Sequence, residues 1–152
     1  YLIAEVGIYY GYSLMAMAKG ALAGGSPTVA VNGFDNEQYA PGSLEWVRQA
    51  FIEERIGCNV MKVDTQQIAE FPLHMIELAS IDGDHSYDSA MNDLVKMEKC
   101  MVPRPRLDAT YIVDDIGWAL NVRQAAEDFS AKYGYHCQYY PCHKGLMTLE
   151  RK

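Results

Sequence analysis

Short runs of apolar residues alternate along the whole chain with stretches in which apolar side chains recur every three or four positions. That alternation predicts βα units and a largely parallel sheet. The first strand falls at residues 2–6, and the helix after it turns Leu14, Met17, Ala18, Ala21 and Leu22 inward and stops at Gly24 and Gly25. A second strand follows at residues 28–34. Pro41-Gly42-Ser43 opens a helix with Leu44, Val47 and Phe51 inward and Gly57 as its stop, and the third strand is residues 59–63. A short turn of helix leads to Pro72. The fourth strand is residues 76–81, and its helix, residues 86–99, carries Tyr87, Met91, Leu94 and Val95 inward. Pro103 and Pro105 enforce a loop before a fifth strand at residues 109–113. The last helix buries Val122, Ala125, Ala126, Phe129 and Tyr133 and ends at Gly134. Residues 135–140 and 145–150 then form two β-like runs that a short turn joins, so they should pair antiparallel.

Composition narrows the class. With 152 residues, 49% of them apolar, the chain can bury one substantial core, so a single domain is expected. Thirteen basic against twenty acidic residues give a net charge of −7, and Lys and Arg form no cluster. That balance argues against nucleic acid as a partner and favours a small or cationic ligand. No run approaches the roughly 18 apolar residues of a membrane span, and no secretory signal opens the chain. The four cysteines form no C-x-x-C pair, which fits buried thiols in a reduced, cytoplasmic protein. Tyr1 opens directly into a strand pattern, so a preceding N-terminal segment is expected.

The position of the carboxylates carries the functional information. The five parallel strands end at or beside Glu5, Asp35, Asp64, Asp82 and Asp114, all on the carboxyl edge where open α/β sheets bind ligands. One such acid is an ordinary helix cap or turn residue. Five together repel one another unless a cation is present, so the pocket should favour positive charge. The first βα turn keeps Gly7 and Gly11 but lacks the middle glycine that lets a backbone approach a dinucleotide pyrophosphate.

Three segments, E-V-G-I-Y-Y-G-Y-S at 5–13, I-D-G-D-H-S-Y-D at 81–88 with Asp93-Leu94 after it, and V-D-D-I-G-W at 113–118, resemble the class I S-adenosylmethionine-dependent methyltransferases. Within that class they are most similar to metal-assisted small-molecule O-methyltransferases of the catechol and macrolide-sugar type. The resemblance implies an α/β, Rossmann-like, doubly wound, mostly parallel seven-stranded sheet with a reversed last strand, in agreement with the C-terminal hairpin. It implies that Glu5, Gly7 and Gly11 shape the methionine end of the cofactor site, that Asp35 takes the ribose hydroxyls, that Asp64 lies near the adenine, and that Asp82 adjoins the cofactor. Asp35 stands 24 positions after Gly11, close to the roughly 20-residue spacing of a ribose-binding acid from its glycine turn. Ser13 has two readings, a cap for the first helix or a contact to the cofactor carboxylate.

Asp82, Asp114 and Asp115 come from the ends of neighbouring strands, and the resemblance makes them metal ligands. Oxygen donors select Mg²⁺, with Mn²⁺ or Ca²⁺ as alternatives. Such an ion lowers the pKa of a hydroxyl on a diol or catechol, and the resemblance gives His85, beside Asp82, the role of base. The plainer readings are that Asp115 caps a turn, that His85 bonds its own turn, and that Trp118 is core rather than an aromatic wall. Val102-Pro103-Arg104-Pro105-Arg106-Leu107 departs from the glycine-rich turn usual before the fifth strand in relatives. The expected activity is methyl transfer to a hydroxyl of a small metabolite with divalent-metal assistance. Its competitors are a non-catalytic cofactor-binding domain of the same fold and a hydroxylase-like or dinucleotide-using enzyme. A homodimer is the commonest default for a soluble enzyme.

Overall fold

The computed structural model describes residues 1–103 and 109–151. Arg104, Pro105, Arg106 and Leu107, part of the loop expected before the fifth strand, lie outside the described residues. The elements in chain order are β1 (Leu2–Val6), α1 (Tyr12–Ala23), β2 (Ala30–Asp35), α2 (Ser43–Glu53), β3 (Gly57–Lys62), a single 3-10 turn (Thr65–Gln67), β4 (Leu78–Ile81), α3 (Tyr87–Glu98), β5 (Thr110–Val113), α4 (Leu120–Tyr133), β6 (Tyr135–Tyr140) and β7 (Leu146–Arg151). The sheet has the order β3-β2-β1-β4-β5-β7-β6. β1 to β5 are parallel, and β7 lies antiparallel between β5 and β6, so the expected doubly wound sheet with a C-terminal hairpin is the one that forms.

Strand alternation splits the apolar side chains into two cores. Ala4 and Val6 pack with α3 and α4 through Leu94, Met97, Ala125 and Phe129. Ile3 packs on the opposite face with Leu14, Ala18, Val47 and Phe51 of α1 and α2. Glu5 shares the parity of Ile3 and is fully buried, between Gly33 of β2 and Ser80 of β4.

Local chemistry moves several boundaries from those expected. β2 starts at Ala30 rather than residue 28, and the Thr28 carbonyl before it accepts from the Tyr1 ammonium at 2.7 Å and the Ser26 hydroxyl at 3.0 Å. α2 is ended by Arg55 in the left-handed region (φ 58°), and Gly57, expected as the stop, begins β3. Gly11, not Ser13, is the N-cap of α1, with no side-chain cap bond. Leu22 and Cys142, expected inside, are exposed. On α3 the deeply buried positions are Ala90, Asp93, Leu94, Lys96 and Met97, whereas Tyr87, Met91 and Val95 are half-buried.

The β6–β7 turn is fastened to the loop after β5. Gly117 N–H donates to Lys144 O at 2.7 Å and Ile116 N–H to Gly145 O at 3.2 Å. A Cβ on Gly145 would overlap the Gly117 nitrogen, and Gly145 also has φ +78°. Gly25 has φ +91° with open space around it. Gly145→Ala should therefore destabilise by upwards of about 2 kcal/mol and Gly25→Ala by only about 1 kcal/mol. Urea midpoints at unchanged m-value measure both, and equal losses would show that the close approach is not a constraint.

Candidate functional site

β1 and β4 are neighbours, but the chain leaves β1 toward β2 and leaves β4 toward β5 on the other side. The space above their carboxyl ends stays open, and a cleft of about 450 Å³ occupies it. One wall is formed by Tyr9, Asp35 and Tyr39, the other by Asp82, His85 and Asp115, and the far end by Val63 to Gln66.

On the first wall Asp35 is held by backbone donors. Tyr9 N–H reaches its Oδ2 at 2.9 Å and Glu37 N–H its Oδ1 at 2.5 Å. Each oxygen keeps a second lone pair, so the carboxylate can still accept two ligand hydroxyls. Gly7, at φ +80°, closes against β4 so tightly that a Cβ would overlap the Asp82 carbonyl oxygen. Asp64 caps the 3-10 turn, its Oδ1 accepting from Gln66 N–H at 3.0 Å and its Oδ2 from the Gln67 amide at 2.9 Å.

Gly7, Asp35, Asp64 and Asp82 line the cleft, whereas Glu5, Gly11 and Ser13 do not. Gly11 serves packing instead, since a Cβ there would come within 2.9 Å of the Val47 side chain. Ser13, on the first turn of α1, lies near Glu5 beneath the cleft.

The second wall is acidic and partly neutralised. Asp82, His85 and Asp115 present ligand atoms within 4.8 Å of one another. His85 Nε2 stands 2.9 Å from Asp115 Oδ2, and Lys144 Nζ lies 3.3 Å from Oδ1. Burial raises the Asp115 pKa, but the Trp118 indole, Lys144 and His85 outweigh it and leave the carboxyl below its usual value. An ionised carboxylate only accepts, so Nε2 carries the shared proton and Nδ1 is left as the basic nitrogen of His85. Asp114 stands outside the group, its Oδ1 accepting from Asp115 N–H at 2.8 Å, although its charge is felt at Asp82. Burial first, then the Asp114 and Asp115 charges, push Asp82 up to about 7. Trp118 is not core: it is 58% exposed, its ring edge-on to His85 with centroids 4.7 Å apart. Asp84 is a turn residue, accepting from Ser86 N–H at 2.8 Å.

These donors fit a divalent ion. Asp115 Oδ1 is buried and meets only the exposed Lys144 ammonium, at 3.3 Å, and Asp82 is pushed up by burial first and then by the Asp114 and Asp115 charges. Asp82 and Asp115 would hold the ion, with His85 as a third donor or a neighbouring base. An imidazole among the donors widens the choice from Mg²⁺ toward softer first-row ions.

Sequence reasoning missed Lys144, which only the docking of the β6–β7 turn brings to Asp115. It passed over Tyr9 as a backbone donor. The sole available signal for Tyr9 was its place between Gly7 and Gly11, where left-handed conformations are needed; its φ is 48°.

An α/β sheet with its crevice between β1 and β4, walled by acidic strand ends, places the chain in the doubly wound class, whose ligands bind at such a switch point. The chain belongs to the methyltransferase-domain family, whose model matches residues 4–116. No curated protein matches the chain. Among solved structures it is similar to the O-methyltransferase NovP (TM-score 0.75, 16% identity, 99% of this chain and 71% of that one). It is also similar to CalS11, a TDP-rhamnose 3′-O-methyltransferase of calicheamicin biosynthesis (TM-score 0.74, 15% identity, 98% and 70%). A third is the Podospora anserina methyltransferase PaMTH1, bound to S-adenosylhomocysteine (TM-score 0.64, 16% identity, 99% and 71%). The chain spans only 51% of a Nostoc punctiforme protein of the same fold. Among the described residues, no helix is long and apolar enough to cross a membrane.

Glu5 gives the site a measurable electrostatic signature. Neither of its carboxylate oxygens meets hydrogen-bond geometry with a partner. Burial pushes its pKa up to about 8, with the Ser13 and Ser80 hydroxyls close enough to offset part of the rise. Between about pH 4.5 and 8 the unfolded chain is ionised here while the folded one keeps its proton, so stability from this group falls as pH rises. Glu5→Gln should match wild type near pH 4 and exceed it by on the order of a few kcal/mol at pH 8. Urea unfolding across that range checks it, and a difference independent of pH would mean that Glu5 is ionised in the folded protein.

Proposed function

We propose that the chain transfers the methyl group of S-adenosylmethionine to a hydroxyl of a small metabolite, with a divalent ion held by Asp82 and Asp115. The observation that carries this reading is the gathering of Asp35, Asp64, Asp82 and Asp115 around one cleft, where burial and neighbouring acids push Asp82 up to about 7 and a sulfonium cation beside a dication would favour its ionised form. Asp35 supports the nucleoside end, since its free lone pairs match two ribose hydroxyls. The bound ion would supply Lewis acidity, lowering the pKa of the acceptor hydroxyl. His85, its Nε2 fixed by Asp115, takes the acceptor proton on Nδ1. The acceptor oxygen then bonds to the methyl carbon as the carbon–sulfur bond breaks, leaving S-adenosylhomocysteine. Trp118, exposed beside His85, gives a flat surface on which a ring-bearing acceptor such as a catechol or sugar can rest. NovP and CalS11, which share the fold, are O-methyltransferases, and this supports hydroxyl over other acceptors. A cytoplasmic setting belongs to the same reading, supported by four unpaired thiols.

S-adenosylhomocysteine should bind saturably in calorimetry, and Asp35→Ala should weaken it at least about tenfold. With a panel of catechols and sugar diols, turnover should need Mg²⁺ or Mn²⁺ and stop on chelation. His85→Ala should lower it by about 10²- to 10⁴-fold with cofactor affinity retained. Cofactor binding without turnover on any panel member would identify a binding domain instead. No cofactor binding would refute the reading entirely.

A further inference from the structure

α3 turns two charged side chains into the protein. Asp93 is 1% exposed and Lys96 6%, on the same face as Leu94 and Met97. Buried charges persist where they are bonded, and these two converge on the one 3-10 turn that closes the far end of the cleft. Lys96 Nζ donates to the Thr65 carbonyl at 2.6 Å, and the Gln66 amide donates to Asp93 Oδ1 at 3.0 Å. Asn92 Nδ2 donates to Gln66 Oε1 at 2.7 Å, so three residues of α3 grip two consecutive residues of the turn. The second oxygen of Asp93 lies 3.3 Å from where a Gly83 Cβ would stand, beneath the segment that carries Asp82 and His85. Thr65, Gln66 and Gly83 line the cleft; Asn92, Asp93 and Lys96 do not.

We propose that Asp93 and Lys96 are positioning residues that set affinity for the nucleoside end of the cofactor by clamping Thr65 and Gln66 from behind. The inference rests on reading the cleft as an S-adenosylmethionine site. A three-residue turn left free would have to be ordered when the ligand binds; held by α3, that ordering is complete beforehand. Burial raises the Asp93 pKa to about 6, with the Thr65 hydroxyl and Lys96 restraining the rise, so its carboxylate is an acceptor for the Gln66 amide at pH 7.5. The chemistry at Asp82, His85 and Asp115 uses neither side chain, so the clamp acts on cofactor binding rather than on the methyl-transfer step.

The test titrates S-adenosylhomocysteine into wild type, Lys96→Met and Asp93→Asn, and follows hydrogen exchange of residues 64–68. Both variants should bind about tenfold more weakly and exchange faster across the turn, while β1 and β4 stay protected and kcat at saturating cofactor is unchanged. Asn92→Ala, at a half-buried position outside the cleft, guards against misfolding and should lose about threefold. Wild type that fails to bind overturns the functional reading. Wild type that binds, with folded variants of equal affinity, overturns the clamp alone, and so does a loss of affinity without faster exchange in the turn.

Discussion

Everything in this molecule hangs on the divergence of the chain at β1 and β4. Two adjacent parallel strands whose continuations depart in opposite directions leave a gap between them, lined by Val6 and Gly7 from the end of β1 and by Asp82 and Gly83 just past β4. The sequence meets that geometry with acids and glycines. Asp35 shows what an acid does where no glycine stands: its donors, Tyr9 and Glu37, are both non-glycine residues in the left-handed region, at φ 48° and 57°. Each such conformation costs about 1–3 kcal/mol, and a hydrogen bond to a carboxylate contributes about 1.5–3 kcal/mol. The cleft wall is therefore set by a carboxylate that itself lines the cleft.

The second consequence is electrostatic. Glu5 and Asp82 are pushed up to about 8 and about 7 because burial is not matched by bound cations of the chain. Lys144 and His85 answer part of the charge, and both do so at Asp115. Lys144 is more than half exposed, so solvent screens its contribution and the pair holds the carboxylate only loosely. What remains at the cleft is the half-buried carboxyl of Asp82, whose ionised form a cation entering there would favour.

The strand ends, the glycine turns and the C-terminal hairpin were legible in the sequence because they follow from period and from local steric needs. Two kinds of feature were not. Lys144 reaches Asp115 through a contact between segments about thirty residues apart, and no local pattern encodes the approach of Gly117 and Gly145 that makes it. Asp93 and Lys96 were hidden for the opposite reason. Counting apolar positions assigns a helix face by Leu94 and its neighbours and treats charges as outward, whereas here the inward face carries two charged side chains that bond to another segment. Arg55 in place of Gly57 is a local case: the turn is fixed by Glu54 and Ile56 donating back to Ala50 and Phe51, four and five residues away, and the side chain at the left-handed position is incidental.

The Asp114-Asp115 pair shows how backbone conformation can divide roles between identical side chains. Extended backbone would send the two carboxylates to opposite faces, one toward the cleft and one away. Asp115 instead takes φ 60°, and its carboxylate is buried beside His85 and Lys144, while Asp114 turns back to accept the Asp115 N–H. Asp114 thereby stabilises the left-handed step that removes it from the donor cluster. A residue held in that region at a functional wall signals a position overdetermined by its surroundings, and here the surroundings are the β6–β7 turn and the imidazole. The imidazole of His85 is held by that same strained residue, so the orientation of His85 and the placement of the Asp115 carboxylate are a single structural event.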